Sequence, residues 1–203
     1  MKSSIPLLIA TTLLISTPTG TLAQTYNEMS GPTTYLHPAS NLTFITWTAP
    51  PGTSETKDPF TFGLVHSLTT DTSYTGFLKC KTKGWCGLSH GDSMLGRLLL
   101  VAWVDDESEK VKTEFRVAEG YFEPEVYQGT PGPVLEQLDF KVEEEGNEFE
   151  VVFRCEGCLV VGEQEGGVET LGYAVSLDRP VEEEGRVRVE FHDEAYGVWD
   201  LGL

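Results

Sequence analysis

Nowhere after residue 23 does this chain sustain an apolar i, i+3, i+4 pattern for three turns, and Gly and Pro recur too often for long helices. What recurs instead is the short run of β-branched and aromatic residues bounded by turn formers. Such runs occupy 41–49, 61–67, 97–104, 112–117, 140–142, 148–154, 170–176 and 186–191. Short strands separated by polar turns predict an all-β domain, an antiparallel β-sandwich, because parallel strands would need long crossover connections that the pattern lacks. Segment 97–104 is apolar through Leu98, Leu99, Leu100, Val101 and Ala102 and reads as a central strand buried on both faces. Segment 186–191 alternates, so one of its faces is wet. Residues 24–40 read as an irregular lead-in.

The first 23 residues carry one early lysine, an uncharged apolar stretch from Ile5 to Ile15, and small residues at Thr21 and Ala23. This is the pattern of a secretory signal peptide, cleaved after Ala23, and its apolar part is too short to span a bilayer. The remainder, 24–203, is the size of one domain. An oxidising destination makes disulfides the expected state of the four cysteines, and Asn41-Leu42-Thr43 is a glycosylation sequon on the same route. With 14 basic against 32 acidic residues the net charge is −18, which excludes nucleic acid and anionic membranes as natural partners and favours a soluble monomer. The acids cluster at 105–107, 143–145 and 182–184, where solvated turns are expected. Asp105-Asp106-Glu107 lacks the spacing of a calcium loop.

Catalytic motifs are absent. The four histidines lie in no metalloprotease, hydrolase or nucleotide-binding pattern. His37 sits beside Pro38 in the lead-in and His66 in a strand-like run. His192 stands where an alternating segment gives way to a loop, a position that often carries function. Met94 sits in the Gly-flanked stretch Ser89-His90-Gly91-Asp92-Ser93-Met94-Leu95-Gly96, where there is little core for a methionine to fill.

Three stretches resemble the haem-carrying cytochrome domain of fungal cellobiose dehydrogenases. The first is Trp85-Cys86-Gly87-Leu88-Ser89-His90-Gly91-Asp92-Ser93-Met94 with the following Leu98-Leu99-Leu100-Val101-Ala102-Trp103. The second is Arg116, Ala118, Gly120, Tyr121, Pro124, Tyr127, Gly129 and Thr130, which follow the family's Arg-x-Ala-x-Gly-Tyr-x-x-Pro-x-x-Tyr-x-Gly-Thr spacing. The third is Val152-Phe153-Arg154-Cys155-Glu156-Gly157-Cys158. The matches run in the family's order over most of 85–203, and only loosely over 24–84.

The resemblance implies a stand-alone, DOMON-like or immunoglobulin-like sandwich with a non-covalent haem b, ligated by Met94 and His192, and a disulfide between Cys155 and Cys158. No Cys-x-x-Cys-His motif is present for covalent attachment. A thioether and an imidazole on the two axial positions leave the iron only one-electron chemistry, so the implied activity is electron transfer, at most reductase-like toward metal or quinone acceptors. Trp103 and Tyr121 are expected to line the pocket by resemblance, Phe60 and Phe62 by hydrophobicity alone. The implied partners are extracellular redox proteins, with a flavin dehydrogenase as donor and a copper-dependent polysaccharide oxygenase as acceptor. Cys80 and Cys86 lie outside the family pattern and are expected to close a second disulfide bracing the Met94 loop. Three residues, 193–195, separate His192 from Tyr196-Gly197 where the family has two. His90 stands where an apolar residue is expected and is the fallback ligand, and Asp92 stands where the family has Gly. No flavin domain or cellulose-binding module is expected behind the cytochrome-like domain. The alternative reading is a haem-free sandwich that binds carbohydrate or protein through exposed aromatics. A copper oxygenase is set aside, because its histidine brace needs His first and cleavage exposes Gln24.

Overall fold

Antiparallel pairing organises the chain into two six-stranded sheets and one short hairpin. The computed structural model describes residues 29–54, 56–65, 72–120, 122–129, 132–143, 146–159, 170–183, 185–190 and 192–201, and these form no α-helix. The strands are β1 (Ser30–Leu36), β2 (Thr43–Thr48), β3 (Phe60–Leu64), β4 (Tyr74–Cys80), β5 (Trp85–Ser89), β6 (Leu98–Asp105) and β7 (Lys110–Val117). They continue as β8 (Glu125–Val126), β9 (Val134–Val142), β10 (Phe149–Glu156), β11 (Thr170–Ser176), β12 (Val181–Glu183), β13 (Arg186–Arg188) and β14 (Ala195–Asp200). The first sheet runs β1-β2-β3-β4-β10-β9 and the second β14-β11-β5-β6-β7-β8, with β12-β13 a separate hairpin. The antiparallel sandwich is the fold the strand pattern predicts.

The main core fills the space between the sheets. Phe60, Phe62, Leu78, Phe149, Val151 and Phe153 of the first sheet meet Leu88, Leu100, Ala102, Leu171, Tyr173 and Val175 of the second. The second sheet is apolar on its outer face too. Trp85, Leu99, Val101, Trp103 and Ala174 form a second cluster there, joined by Ala118 and Val189 and packed by Met94, Leu95 and Val187. Alternation explains both faces: Leu100 and Ala102 point inward, Leu99, Val101 and Trp103 outward, and all five are buried. Strand 97–104 is central and covered on both sides, as its composition requires.

The disulfide Cys80–Cys86 joins the end of β4 in the first sheet to β5 in the second. It therefore ties the two sheets together where the chain crosses between them, rather than bracing the Met94 loop, which leaves the opposite end of β5. The second disulfide is Cys155–Cys158.

Several strands were hidden in the sequence by glycine. Gly76 in β4 faces Phe153 across the ladder, and a Cβ there would lie 2.4 Å from its ring. Gly197 in β14 faces Tyr173, and a Cβ there would lie 2.7 Å from that ring. In each case a large aromatic covers the glycine of its neighbour, which costs strand propensity locally and gains packing. The irregular lead-in expected over 24–40 contains β1, an edge strand whose position tolerates Pro32. The acidic run at 182–184 is no simple turn, since Glu182 and Glu183 pair with Val187 and Arg186 in the hairpin. At 105–107 a turn does form, with the Asp105 carboxylate accepting from the backbone N–H groups of Glu107 and Ser108.

Arg116 fastens the cover over the outer face. Its guanidinium is 1% exposed, pairs with Glu114, and donates to the carbonyl oxygens of Pro124 and Val187, so β7 holds both the segment after it and the β12-β13 hairpin. Replacing Arg116 with Ala should cost about 2–4 kcal/mol in chemical denaturation, by leaving part-buried carbonyls and the Glu114 carboxylate without this partner. Arg116→Lys should recover only part, since one ammonium cannot reproduce the planar fork. Full recovery by Lys would contradict this account.

Candidate functional site

A cavity of about 1100 Å³ opens on the outer side of the second sheet. Its wall is built from loops that cover the apolar outer cluster, and Met94 and His192 both line it. Trp85, Leu95, Phe122, Val189 and Val198 make much of the rest apolar, while Asp92, Glu123, Arg188, Glu190 and Glu194 bring charge. Its size lies just above the usual range of small-molecule and cofactor sites, about 300–1,000 Å³.

Met94 is half-buried and packs against the outer cluster. Its loop is pinned throughout: Ser89 Oγ donates to Ser93 O, the Leu95 N–H to Ser93 Oγ at 3.1 Å, and the Gly96 N–H to Ala118 O at 2.8 Å. His192 comes from the far side, after the hairpin, and its ring lies against Tyr196 with centroids 4.8 Å apart. Burial pushes the His192 imidazole below its ordinary value, and the nearby Asp193 charge offsets this only in part. The ring is therefore neutral at physiological pH, the form in which imidazole binds metal.

His90 does not share this site. It is buried at the base of the Met94 loop, where its backbone N–H and its Nδ1 both bond Leu98 O, at 2.9 and 3.0 Å. Its Nε2 meets the Tyr74 hydroxyl at 2.8 Å, with Cys155 Sγ 4.0 Å away. Both ring nitrogens are thus used, which removes His90 as fallback ligand. Complete burial pushes its pKa down to about 4, against the opposing bond to Leu98 O. His90 and the two cysteines form the one cluster of potential metal-ligating groups among the described residues, but the sulfurs are tied up in their disulfide. It is this disulfide, through His90, that touches the root of the Met94 loop.

Other expected wall residues divide. Trp103 is buried in the outer cluster, but its cross-strand partner Trp85 is the tryptophan that lines the cavity. Phe60 and Phe62 belong to the core between the sheets and stack on Tyr173 and Trp47. Tyr121 and His66 lie outside the described residues. No motif marks the wall formed by Pro50, Pro51, Gly52 and Thr53, which reaches the site from the first sheet's side of the molecule.

The model for the cytochrome domain of cellobiose dehydrogenase matches residues 35–203. The chain belongs to this family. The solved cytochrome domain of Myriococcum thermophilum cellobiose dehydrogenase superposes with a TM-score of 0.65 at 33% identity, covering 83% of this chain and 86% of that one. The cytochrome b domain of pyranose dehydrogenase from Coprinopsis cinerea gives 0.63 at 25% identity, covering 85% and 89%. In sequence, a pyrroloquinoline quinone-dependent pyranose dehydrogenase from Coprinopsis cinerea is 35% identical over 92 residues, 45% of this chain. The match spans 12% of the length of that curated relative.

Domains of this family bind b-type haem, and the cavity fits one. A thioether and a neutral imidazole, the donor pair of low-spin haem sites, line the same apolar cleft. Two buried donors with no hydrogen-bond acceptor among the described residues, Trp85 Nε1 and Tyr173 OH, also belong to wall residues. Burial pushes the Tyr173 hydroxyl up to about 12, so it stays a donor.

The buried neutral His90 makes a pH prediction. Its folded pKa lies below its unfolded one, so the unfolded chain binds the extra proton. The stability it contributes is complete above about pH 6.5 and is lost as pH falls toward 4, up to about 3 kcal/mol. Urea midpoints across this window should fall less steeply in His90→Phe, although that variant should start about 1–3 kcal/mol less stable at pH 7, because the buried bond between the Tyr74 hydroxyl and His90 Nε2 is lost. An unchanged slope would contradict the assignment.

Proposed function

We propose that this chain is an electron-transfer domain in which Met94 and His192 hold the iron of a b-type haem within the cavity. The observation that carries this reading is that two potential axial donors, 98 positions apart in the chain, line one apolar cleft in a chain of the cytochrome family. Bound there, haem supplies a ferric/ferrous couple. The neutral thioether of Met94 favours the ferrous state, while His192 donates to both states, a pair that raises the potential over two stronger donors. Met94 and His192 would together hold the iron, and with both donors in place the site would favour one-electron exchange over binding of small ligands.

The matched relatives are sugar dehydrogenases, which supports a secreted dehydrogenase as donor, whether on this or another chain. A copper-dependent polysaccharide oxygenase, ferric iron or a quinone is the corresponding acceptor. The signal-like first 23 residues support an exchange outside the cell. A net charge of −18 makes docking to a basic partner surface sensitive to salt.

Visible spectra of the purified protein, oxidised and dithionite-reduced, test the reading. We expect a sharp reduced α-band in the parent and no reaction of the ferrous form with carbon monoxide. Met94→Ala and His192→Ala should each broaden the band and admit carbon monoxide. A folded, colourless parent would favour the haem-free binding module instead.

A further inference from the structure

We propose that Glu194 is a positioning residue, a buried clasp that fastens the His192 loop to the turn at 51–54 and so holds the imidazole toward the cavity. This rests on the reading of His192 as a ligand. Glu194 is 1% exposed, and a carboxylate removed from water is tolerated only when its oxygens are hydrogen-bonded. Here they are. Oε2 accepts from the Ser54 N–H and from Thr53 Oγ1, each at 3.0 Å, and Oε1 accepts from Ser54 Oγ at 2.6 Å.

The backbone repeats the connection. The Thr53 N–H donates to Glu194 O at 2.8 Å, and the Glu194 N–H donates to Val175 O at 3.1 Å, joining the turn, the loop and the end of β11. Asp193, the residue directly after His192, is fixed as well. Its Oδ1 accepts from Ser176 Oγ and the Leu177 N–H, both at 3.0 Å, and its carbonyl accepts from Thr53 Oγ1 at 3.1 Å. Gly52 permits the close approach, since a Cβ there would lie 2.2 Å from Glu194 Oε1.

The consequence for the site is geometric. Pro50, Pro51, Gly52 and Thr53 line one wall of the cavity, and His192, Ala195 and Tyr196 another. Glu194 spans the two. The stretch between His192 and Tyr196 is one residue longer than the resemblance predicts, and these residues build the lock rather than a slack loop. Positioning of this kind matters because a ligand displaced by about an ångström is no longer a ligand.

Four proteins decide it: the parent, Glu194→Ala, Glu194→Gln and Val152→Ala, the last removing apolar volume from the separate cluster on the outer face of the first sheet. Hydrogen exchange in the haem-free forms reads the clasp directly. Glu194→Ala should raise exchange at the Thr53, Ser54 and Glu194 amides at least tenfold, whereas Glu194→Gln, which keeps the length and an acceptor, should stay within about threefold of the parent. In the haem-loaded, reduced forms Glu194→Ala should admit carbon monoxide while Glu194→Gln and Val152→Ala exclude it. If Glu194→Ala fails to fold, Ser54→Ala, at an exposed position, should give the same changes at smaller amplitude. Unchanged exchange, continued exclusion of carbon monoxide by Glu194→Ala, or equal admission by Val152→Ala would overturn the proposal. Should the parent itself admit carbon monoxide, the ligand reading fails, and the exchange result still decides whether the clasp exists.

Discussion

A sheet that is apolar on both faces has to be covered twice. The second sheet meets the first across the main core, which leaves Trp85, Leu99, Val101 and Trp103 on the other side, too large an apolar area to leave in water. The chain covers it with the Met94 loop, the segment around Ala118 and the β12-β13 hairpin rather than with a third layer. Loops cannot pack as tightly as a sheet, and the cavity is what remains between them. The site is thus a by-product of how the outer face is sealed, and every residue that holds the seal also shapes the site.

Arg116 and Glu194 are the two polar anchors of that seal. Each is a buried charge bonded to other segments: Arg116 to the nearby Pro124 carbonyl and the distant Val187 carbonyl, Glu194 to the distant turn at 53–54. Buried charges of this type add little net stability but are very specific, since any other arrangement leaves a charge unpaired. They fix loops that have few ladder bonds of their own. His90 does the same at the root of the Met94 loop with a neutral ring, closing the loop on Leu98 O.

Much of this was legible in the chain. The strand pattern specified an antiparallel sandwich, and the apolar run 98–102 specified its central, doubly covered strand. The cytochrome motifs specified the family, and the pairing of Cys155 with Cys158. Strands β4, β5 and β14 were not legible, because glycines at 76, 87 and 197 erase local propensity and are explained only by the aromatic or backbone groups opposite them. His90 looked like a possible ligand because the sequence does not show that Tyr74 and Leu98 already occupy its two nitrogens.

The sequence by itself determined the periodicity, the apolar faces and the identity of the groups able to meet a metal, since these are local properties of side chains and their spacing. Only the tertiary structure decided which of those groups share a cleft. Trp85 rather than Trp103 reaches the wall, Phe60 and Phe62 turn into the core, and a turn at 51–54 with no motif of its own becomes the partner of Glu194. The reason is that a cavity wall is assembled from segments remote along the chain, and their meeting depends on sheet order and loop closure, which no local pattern encodes.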